Sequence, residues 1–232
     1  MSKQGIKKTP HRRRRFVGSD RGLAALLVLL VAYVFFVYPL LGGSALGGWG
    51  SVIFSLILVV SVLATSTHHA VRGVIVVLAA ITMASHWISA MLGGRVDLMV
   101  AAGAAIIFFS MQNWFLSVRV FGRGAITTYS ILGAVAIYLV FGLLWANAYA
   151  LMYLAIPDAF YFDPGAKMSE PPLSEMIYFS FVTLTTLGFG DITAVHPFAR
   201  SLVTMEGLVG QLYPAIVLAR LVTRYEVHHP RS

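Results

Sequence analysis

Residues 22–71 form a stretch without a single Asp, Glu, Lys or Arg, and residues 124–157 form a second. A helix needs about 20 apolar residues to cross the roughly 30 Å hydrocarbon core of a bilayer. A water-soluble fold would need charged and polar side chains on its exposed faces within stretches of this length. The pattern therefore predicts membrane-spanning helices rather than a soluble domain.

Six such spans account for the composition of the chain. Its 232 residues are 58% hydrophobic and 11% charged, whereas about 25% are charged in an ordinary soluble domain. Glycine-rich and polar breaks give spans at about 22–41, 51–66, 74–92 and 98–118, a fifth within about 124–157 and a last at about 200–222. We expect an all-α membrane protein with six transmembrane helices. The chain has no cysteine, which excludes disulfides and thiolate metal sites.

The net charge of +8 belongs mainly to the first 21 residues, which hold eight of the 17 basic residues. A nucleic-acid-binding arm is one interpretation. However, the basic segment directly precedes a span, which is typical of a topological anchor that contacts anionic lipid. Most basic residues of the predicted loops fall on the side of this tail. We therefore expect both termini in the cytoplasm, insertion in a plasma membrane of the bacterial inner-membrane kind, and no nucleic-acid partner.

A short apolar run at 176–186 cannot cross a bilayer, and it leads into the sequence Thr-Leu-Gly-Phe-Gly-Asp at 186–191. Irregular backbone at membrane depth is tolerated only where it is buried in protein or lines a watery path. Gly188 and Gly190 permit backbone conformations forbidden to other residues, so that successive carbonyl groups can point to one side. Such a column of oxygens, with the Thr186 hydroxyl, can replace the hydration shell of a cation. An ordinary turn between two helices is the less favoured alternative.

This segment resembles the selectivity filter of the potassium channel superfamily, in its Gly-Phe-Gly form, and the resemblance extends over about residues 172–224. It implies that K+ is the permeant ion, that no other cofactor is needed, and that four identical chains surround one pore as a homotetramer. It also implies that Asp191 lies at the outer mouth. The implied filter residues are Thr186, Leu187, Gly188, Phe189 and Gly190, and the implied supporting residues are Tyr178, Phe179 and Thr185.

The resemblance divides the chain into four parts. These are a basic cytoplasmic tail at 1–21, a four-helix peripheral domain at 22–123, a pore domain at 124–224 and a short cytoplasmic tail at 225–232. The fourth span, at 98–118, carries no charged residue, whereas a voltage sensor needs about three or four gating charges per subunit. We therefore expect little or no intrinsic voltage dependence.

Two features of the last span are candidates for a role in gating. Gly210 matches the hinge glycine of the family that the segment resembles. Pro214, four residues later, has no N–H for the Gly210 carbonyl, so a bend at this turn is expected. A static kink is nearly as well supported as a moving hinge. Glu206 lies well inside the span, where acids are functional candidates; a proton-sensing role and a hydrogen-bonded structural role behind the filter both stay open, with the second favoured.

Passive conduction of K+, rather than catalysis, is the function that these patterns favour. A subunit of a potassium transporter and a poorly selective cation channel are the alternatives, and a non-conducting membrane scaffold is a third. The single pore loop argues against the transporter, because related loops come four to a chain in that class.

Overall fold

The computed structural model describes residues 14–37, 47–65, 69–122, 128–163 and 173–228. Most of the basic tail lies outside the described residues, and so does its predicted contact with anionic lipid. Most of the glycine-rich turn predicted at 42–48 also lies outside them, although Gly47 and Gly48 lie in a helix. Pro171 and Pro172, which precede the short helix in sequence, lie outside them as well.

Helices make up most of the described chain, because in lipid only a helix satisfies its own backbone groups within one segment. Gly93 and Gly94 separate the third helix from the fourth, and Gly93 has a φ of 66°, a conformation that favours glycine. The helices are α1 (Arg14–Ala32, continued by a π-helical turn at Tyr33–Val37), α2 (Gly47–Thr65), α3 (His69–Leu92), α4 (Arg95–Val120), α5 (Thr128–Ala155), α6 (Leu173–Leu184) and α7 (Pro197–His228).

Three helical stretches of the described chain are long and apolar enough to cross a membrane, namely Arg95–Val120, Ser130–Ala155 and Pro197–Arg220. They coincide with the predicted fourth, fifth and last spans. The first three predicted spans correspond, within the same described ranges, to shorter apolar stretches at Gly22–Val37, Val52–Ser61 and Gly73–Ser89. The chain is a mostly helical integral membrane protein, and the count of six spans stays a prediction.

Helix α5 lies at the centre of the fold and packs against α1, α4 and α6 of the same chain. Ala136, Ile137 and Ala146 on this helix are completely buried. Gly133 and Gly142 allow close contacts with α4 and α6, because a Cβ at either position would lie 2.5 Å from a neighbouring side chain, that of Val120 or that of Phe181. The peripheral helices α1 and α4 thus pack on the α5 that follows them in their own sequence.

The sheet that the described residues show has two antiparallel strands. Strand β1 (Phe160–Phe162) precedes α6, and strand β2 (Ile192–Ala194) follows the predicted filter loop. Phe160 pairs with Ala194 and Phe162 with Ile192. Strand β1 was not predicted from the sequence. The sheet joins the segment before α6 to the segment after the loop, and so positions the loop between α6 and β2.

Candidate functional site

The loop at 185–190 begins in the C-terminal cap of α6. The Thr186 N–H donates to the Thr183 carbonyl over 2.9 Å, and the Leu187 N–H donates to the Val182 carbonyl over 2.9 Å. This pair of bonds is the Schellman pattern, whose left-handed position is usually a glycine. Here Thr186 occupies it, with a φ of 59°. A β-branched residue in this conformation is strained by about 1–3 kcal/mol, so its surroundings must hold it there.

Positive φ values alternate along the loop. They are 59° at Thr186, 59° at Gly188 and 82° at Gly190, whereas φ is negative at Leu187 and Phe189. Alternation between positive and negative φ rotates every second peptide group, which allows neighbouring carbonyl oxygens to face the same side. Glycine adopts the left-handed conformation without steric cost. The backbone therefore alternates in the way that is expected where neighbouring carbonyl groups face one side.

The aromatic side chain of Tyr178 supports the loop from α6. Its ring stacks on Phe189, with ring centroids 6.5 Å apart and planes 4° from parallel, and its hydroxyl donates a hydrogen bond to the Asp191 carboxylate. Partial burial, then that hydrogen bond and the negative charge of Asp191, raises the pKa of Tyr178 above its usual value. The hydroxyl therefore stays protonated and remains a donor.

The other two predicted supporting residues make different contacts. Phe179 packs against Tyr149, at 5.2 Å between ring centroids, and against Phe160, at 5.6 Å. It belongs to the buried cluster between α5, α6 and β1. The Thr185 hydroxyl donates to the Phe181 carbonyl of the preceding helix α6 over 2.6 Å. Tyr178 is thus the predicted supporting residue whose side chain contacts the loop.

Asp191, the predicted outer-mouth residue, is held by backbone and side chain together. Its carbonyl oxygen accepts a hydrogen bond from the Asp163 N–H over 2.9 Å, which continues the β1–β2 pairing by one residue. Its carboxylate Oδ1 accepts from the Ile192 N–H over 3.1 Å. The sheet therefore fixes the end of the loop, and the hydrogen bond from Ile192 fixes the carboxylate.

Glu206 lies in a hydrogen-bonded cluster between three helices and is completely buried. Its carboxylate accepts from the Tyr149 hydroxyl on α5 over 2.5 Å and from the Ser180 hydroxyl on α6 over 2.5 Å. The Ser180 hydroxyl also lies 2.8 Å from the Gly142 carbonyl. These contacts give the Glu206 carboxylate hydrogen-bond partners and tie α7 to the helix that carries the loop. Its structural role and a proton-sensing role both stay predictions.

The glycine at 210 marks a close approach between helices. A Cβ at Gly210 would lie 2.0 Å from the carbonyl oxygen of Leu184, at the end of α6. The same carbonyl accepts a hydrogen bond from the Tyr138 hydroxyl of α5 over 2.9 Å. Helix α7 runs without a break through Pro214. Packing against α6 is therefore sufficient to require glycine at 210, and a hinge at Gly210 and Pro214 stays a prediction.

Three polar residues of α7 that the sequence interpretation did not single out anchor this helix. Gln211 donates from Nε2 to the Thr186 hydroxyl oxygen over 3.0 Å. Tyr213 donates to the Ala134 carbonyl of α5 over 2.8 Å. Arg220 donates to the Phe121 carbonyl, and its guanidinium lies 5.2 Å from the centroid of the Phe121 ring. The available signal was the presence of polar side chains within an apolar span, where such groups normally bond to neighbouring helices.

Comparison with known proteins places this site in context. Residues 137–227, less than half of the chain, match the model of a family described as "Ion channel". Over 89 residues the chain is 35% identical to the inward rectifier potassium channel Kirbac3.1 of Paramagnetospirillum magnetotacticum. This match covers 38% of the chain and 27% of that protein. No solved structure matches the chain significantly.

Residues 137–227 of the chain are similar to ion channels. The matched region includes most of α5, all of α6, the loop and nearly all of α7. It contains the loop, and it contains Glu206, Gly210 and Gln211 with their contacts, whereas Ala134 and Phe121, which accept from Tyr213 and Arg220, precede it. The match supports a channel rather than an enzyme. The chain spans about a quarter of the length of the curated relative.

Proposed function

We propose that this chain is the subunit of a homotetrameric, K+-selective channel with little or no intrinsic voltage sensing. The observation that carries the proposal is the alternation of positive φ at residues 186, 188 and 190, in a loop that follows a helix too short to cross a membrane. Carbonyl oxygens arranged in this way replace the water around a weakly hydrated cation. The similarity to ion channels over residues 137–227 supports the same assignment.

The exposure of α7 in the single chain supports assembly through this helix. In its apolar part 11% of the residues are buried within the chain, against 56% for α5. Its exposed surface is not simply a lipid-facing one, because it includes Gln211 and adjoins the Thr186 hydroxyl at the start of the loop. Polar groups and irregular backbone at membrane depth need protein or water around them. Four copies around a central ion path supply both.

The proposed coordinating atoms are the carbonyl oxygens of the filter residues, with the Thr186 hydroxyl at the inner end and Asp191 at the outer mouth. One loop supplies too few oxygens to surround a dehydrated ion, so ligands from several chains are required. The proposal uses no cofactor other than the permeant K+. The absence of charge between 98 and 118 supports the lack of a voltage sensor.

Reconstitution of the purified full chain into liposomes tests the proposal. We expect K+ flux with discrete unitary current steps, and reversal potentials that favour K+ strongly over Na+. Smooth transport without unitary steps would instead indicate the potassium transporter subunit. Equal permeability to K+ and Na+ would indicate a poorly selective cation channel, and absence of flux would indicate a membrane scaffold.

A further inference from the structure

One side-chain contact joins α7 to the first residue of the loop. Gln211 Nε2 donates to Thr186 Oγ1 over 3.0 Å, across 25 residues of sequence. The adjacent Gly210 lies against the Leu184 carbonyl at the end of α6, with no room for a side chain between them. The position of the glutamine is therefore set by a backbone contact one residue earlier. The backbone at 211 is therefore held close enough to the loop for the amide to reach Thr186.

Thr186 is the loop residue that most needs such support. Its φ of 59° is unfavourable for a β-branched residue. The hydrogen bonds of the α6 cap hold its N–H, and that of Leu187, in place. They do not fix the rotation of the Thr186 side chain about its Cα–Cβ bond. The Gln211 amide supplies this constraint, because it holds the hydroxyl oxygen from the α7 side.

We propose that Gln211 is a positioning residue that sets ion selectivity at the inner end of the loop, an inference that rests on the proposed K+ channel function. A hydroxyl oxygen has two lone pairs. The amide N–H of Gln211 occupies one of them and leaves the second for the permeating cation. Without the amide the hydroxyl rotates between rotamers, and a ligand that can adjust its position accommodates the smaller Na+ ion.

Three variants of the full chain, reconstituted in liposomes, test this role. Gln211→Met keeps a similar length and removes the donor. Gln211→Glu restores a bond of opposite direction, because the Thr186 hydroxyl then donates to the carboxylate. Leu212→Met is the matched control, since Leu212 is the next residue and is likewise exposed on α7. The measurement is the K+ to Na+ permeability ratio from reversal potentials.

We expect the ratio to fall at least about fivefold in Gln211→Met, since each subunit of the proposed tetramer loses a hydrogen bond and one bond of average strength corresponds to about fivefold. We expect it to stay within about twofold of wild type in Gln211→Glu and Leu212→Met, since Gln211→Glu keeps a bond to the hydroxyl and Leu212→Met removes none. An unchanged ratio in Gln211→Met overturns the proposal. An equal fall in Gln211→Glu also overturns it, because the restored bond would then have no effect. If Gln211→Met does not assemble, Gln211→Asn, which is one methylene shorter and cannot reach the hydroxyl, replaces it with the same expected fall.

A second measurement separates this inference from the proposed function. Solid-state NMR of the wild-type protein in liposomes, with labelled glutamine and threonine, detects a through-space contact between the Gln211 side-chain nitrogen and the Thr186 side chain. Absence of this contact overturns the role of Gln211 even when the protein conducts K+ normally. Absence of K+ flux from the wild type overturns the channel function itself.

Discussion

Replacing Glu206 with alanine removes the acceptor of two buried hydroxyl groups, those of Tyr149 and Ser180, which each lie 2.5 Å from the carboxylate. The Ser180 hydroxyl has a second acceptor in the Gly142 carbonyl at 2.8 Å. Tyr149 has no such second acceptor among the hydrogen bonds that the described residues show. The substitution therefore leaves one buried hydroxyl without a partner and opens a cavity where three helices meet.

The magnitude follows from these two effects. The lost hydrogen bonds contribute about 0.5–1.5 kcal/mol each in general and about 0.6 kcal/mol on average between membrane helices. Truncating a buried side chain of this size adds a cavity cost, so the total is about 2–4 kcal/mol. Glu206→Gln is the matched control. Its amide oxygen can accept from Tyr149 while its N–H donates to Ser180, which turns its own proton to Gly142. We expect a cost below about 1 kcal/mol for this variant.

Equilibrium unfolding in mixed micelles measures these differences, with tryptophan fluorescence as the signal, since Trp145 lies 6.2 Å from the Tyr149 ring. A double-mutant cycle with Tyr149→Phe isolates the hydrogen bond from the cavity. We expect Tyr149→Phe to have little further effect in the Glu206→Ala background. Strict additivity of the two substitutions would refute the reasoning. A loss of stability in Glu206→Gln equal to that in Glu206→Ala would refute it as well, because charge would then matter more than hydrogen bonding.

Three further predictions concern α5, α7 and the peripheral helices. Gly210→Ala should lower the free energy of unfolding by about 1–3 kcal/mol, because the new Cβ meets the Leu184 carbonyl at 2.0 Å. The melting temperature in detergent should fall with it. Gly207→Ala, with nothing within 4 Å in this chain, should be neutral or gain up to about 1 kcal/mol; equal effects of the two would contradict this packing. Tyr138→Phe should cost about 1 kcal/mol through loss of its bond to the same carbonyl, and an unchanged melting temperature would count against that bond. In symmetric K+, conductance should vary little with voltage; a steep conductance–voltage curve would show that charge moves through the field.

The sequence predicted the three helices that are long and apolar enough to cross a membrane. The positions of α4, α5 and α7 agree with the predicted fourth, fifth and last spans, because a bilayer imposes one length on every spanning helix and apolar length is visible in sequence. The left-handed glycines of the loop could also be anticipated, since Gly188 and Gly190 are the residues that adopt this conformation without steric cost. Thr186 could not, because nothing local favours a positive φ at threonine.

The roles of the supporting residues depended on contacts across the chain. Phe179 and Tyr178 are neighbours in sequence and both aromatic, yet one packs into the cluster around Tyr149 and the other stacks on Phe189. Which residue faces the loop is set by the rotation of α6 against α5. Strand β1 was missed for a similar reason, since a three-residue strand exists only through its partner β2.

Apolar length and glycine position act locally, so the sequence alone established a membrane protein with a glycine-bearing loop after a half-length helix. The contacts that hold this loop come from the folded chain. The link from Gln211 to Thr186, the burial of Glu206 between Tyr149 and Ser180, and the contact of Gly210 with Leu184 all join residues more than 24 positions apart. Such pairings depend on how helices approach and rotate against one another, and side-chain packing across the whole chain decides that.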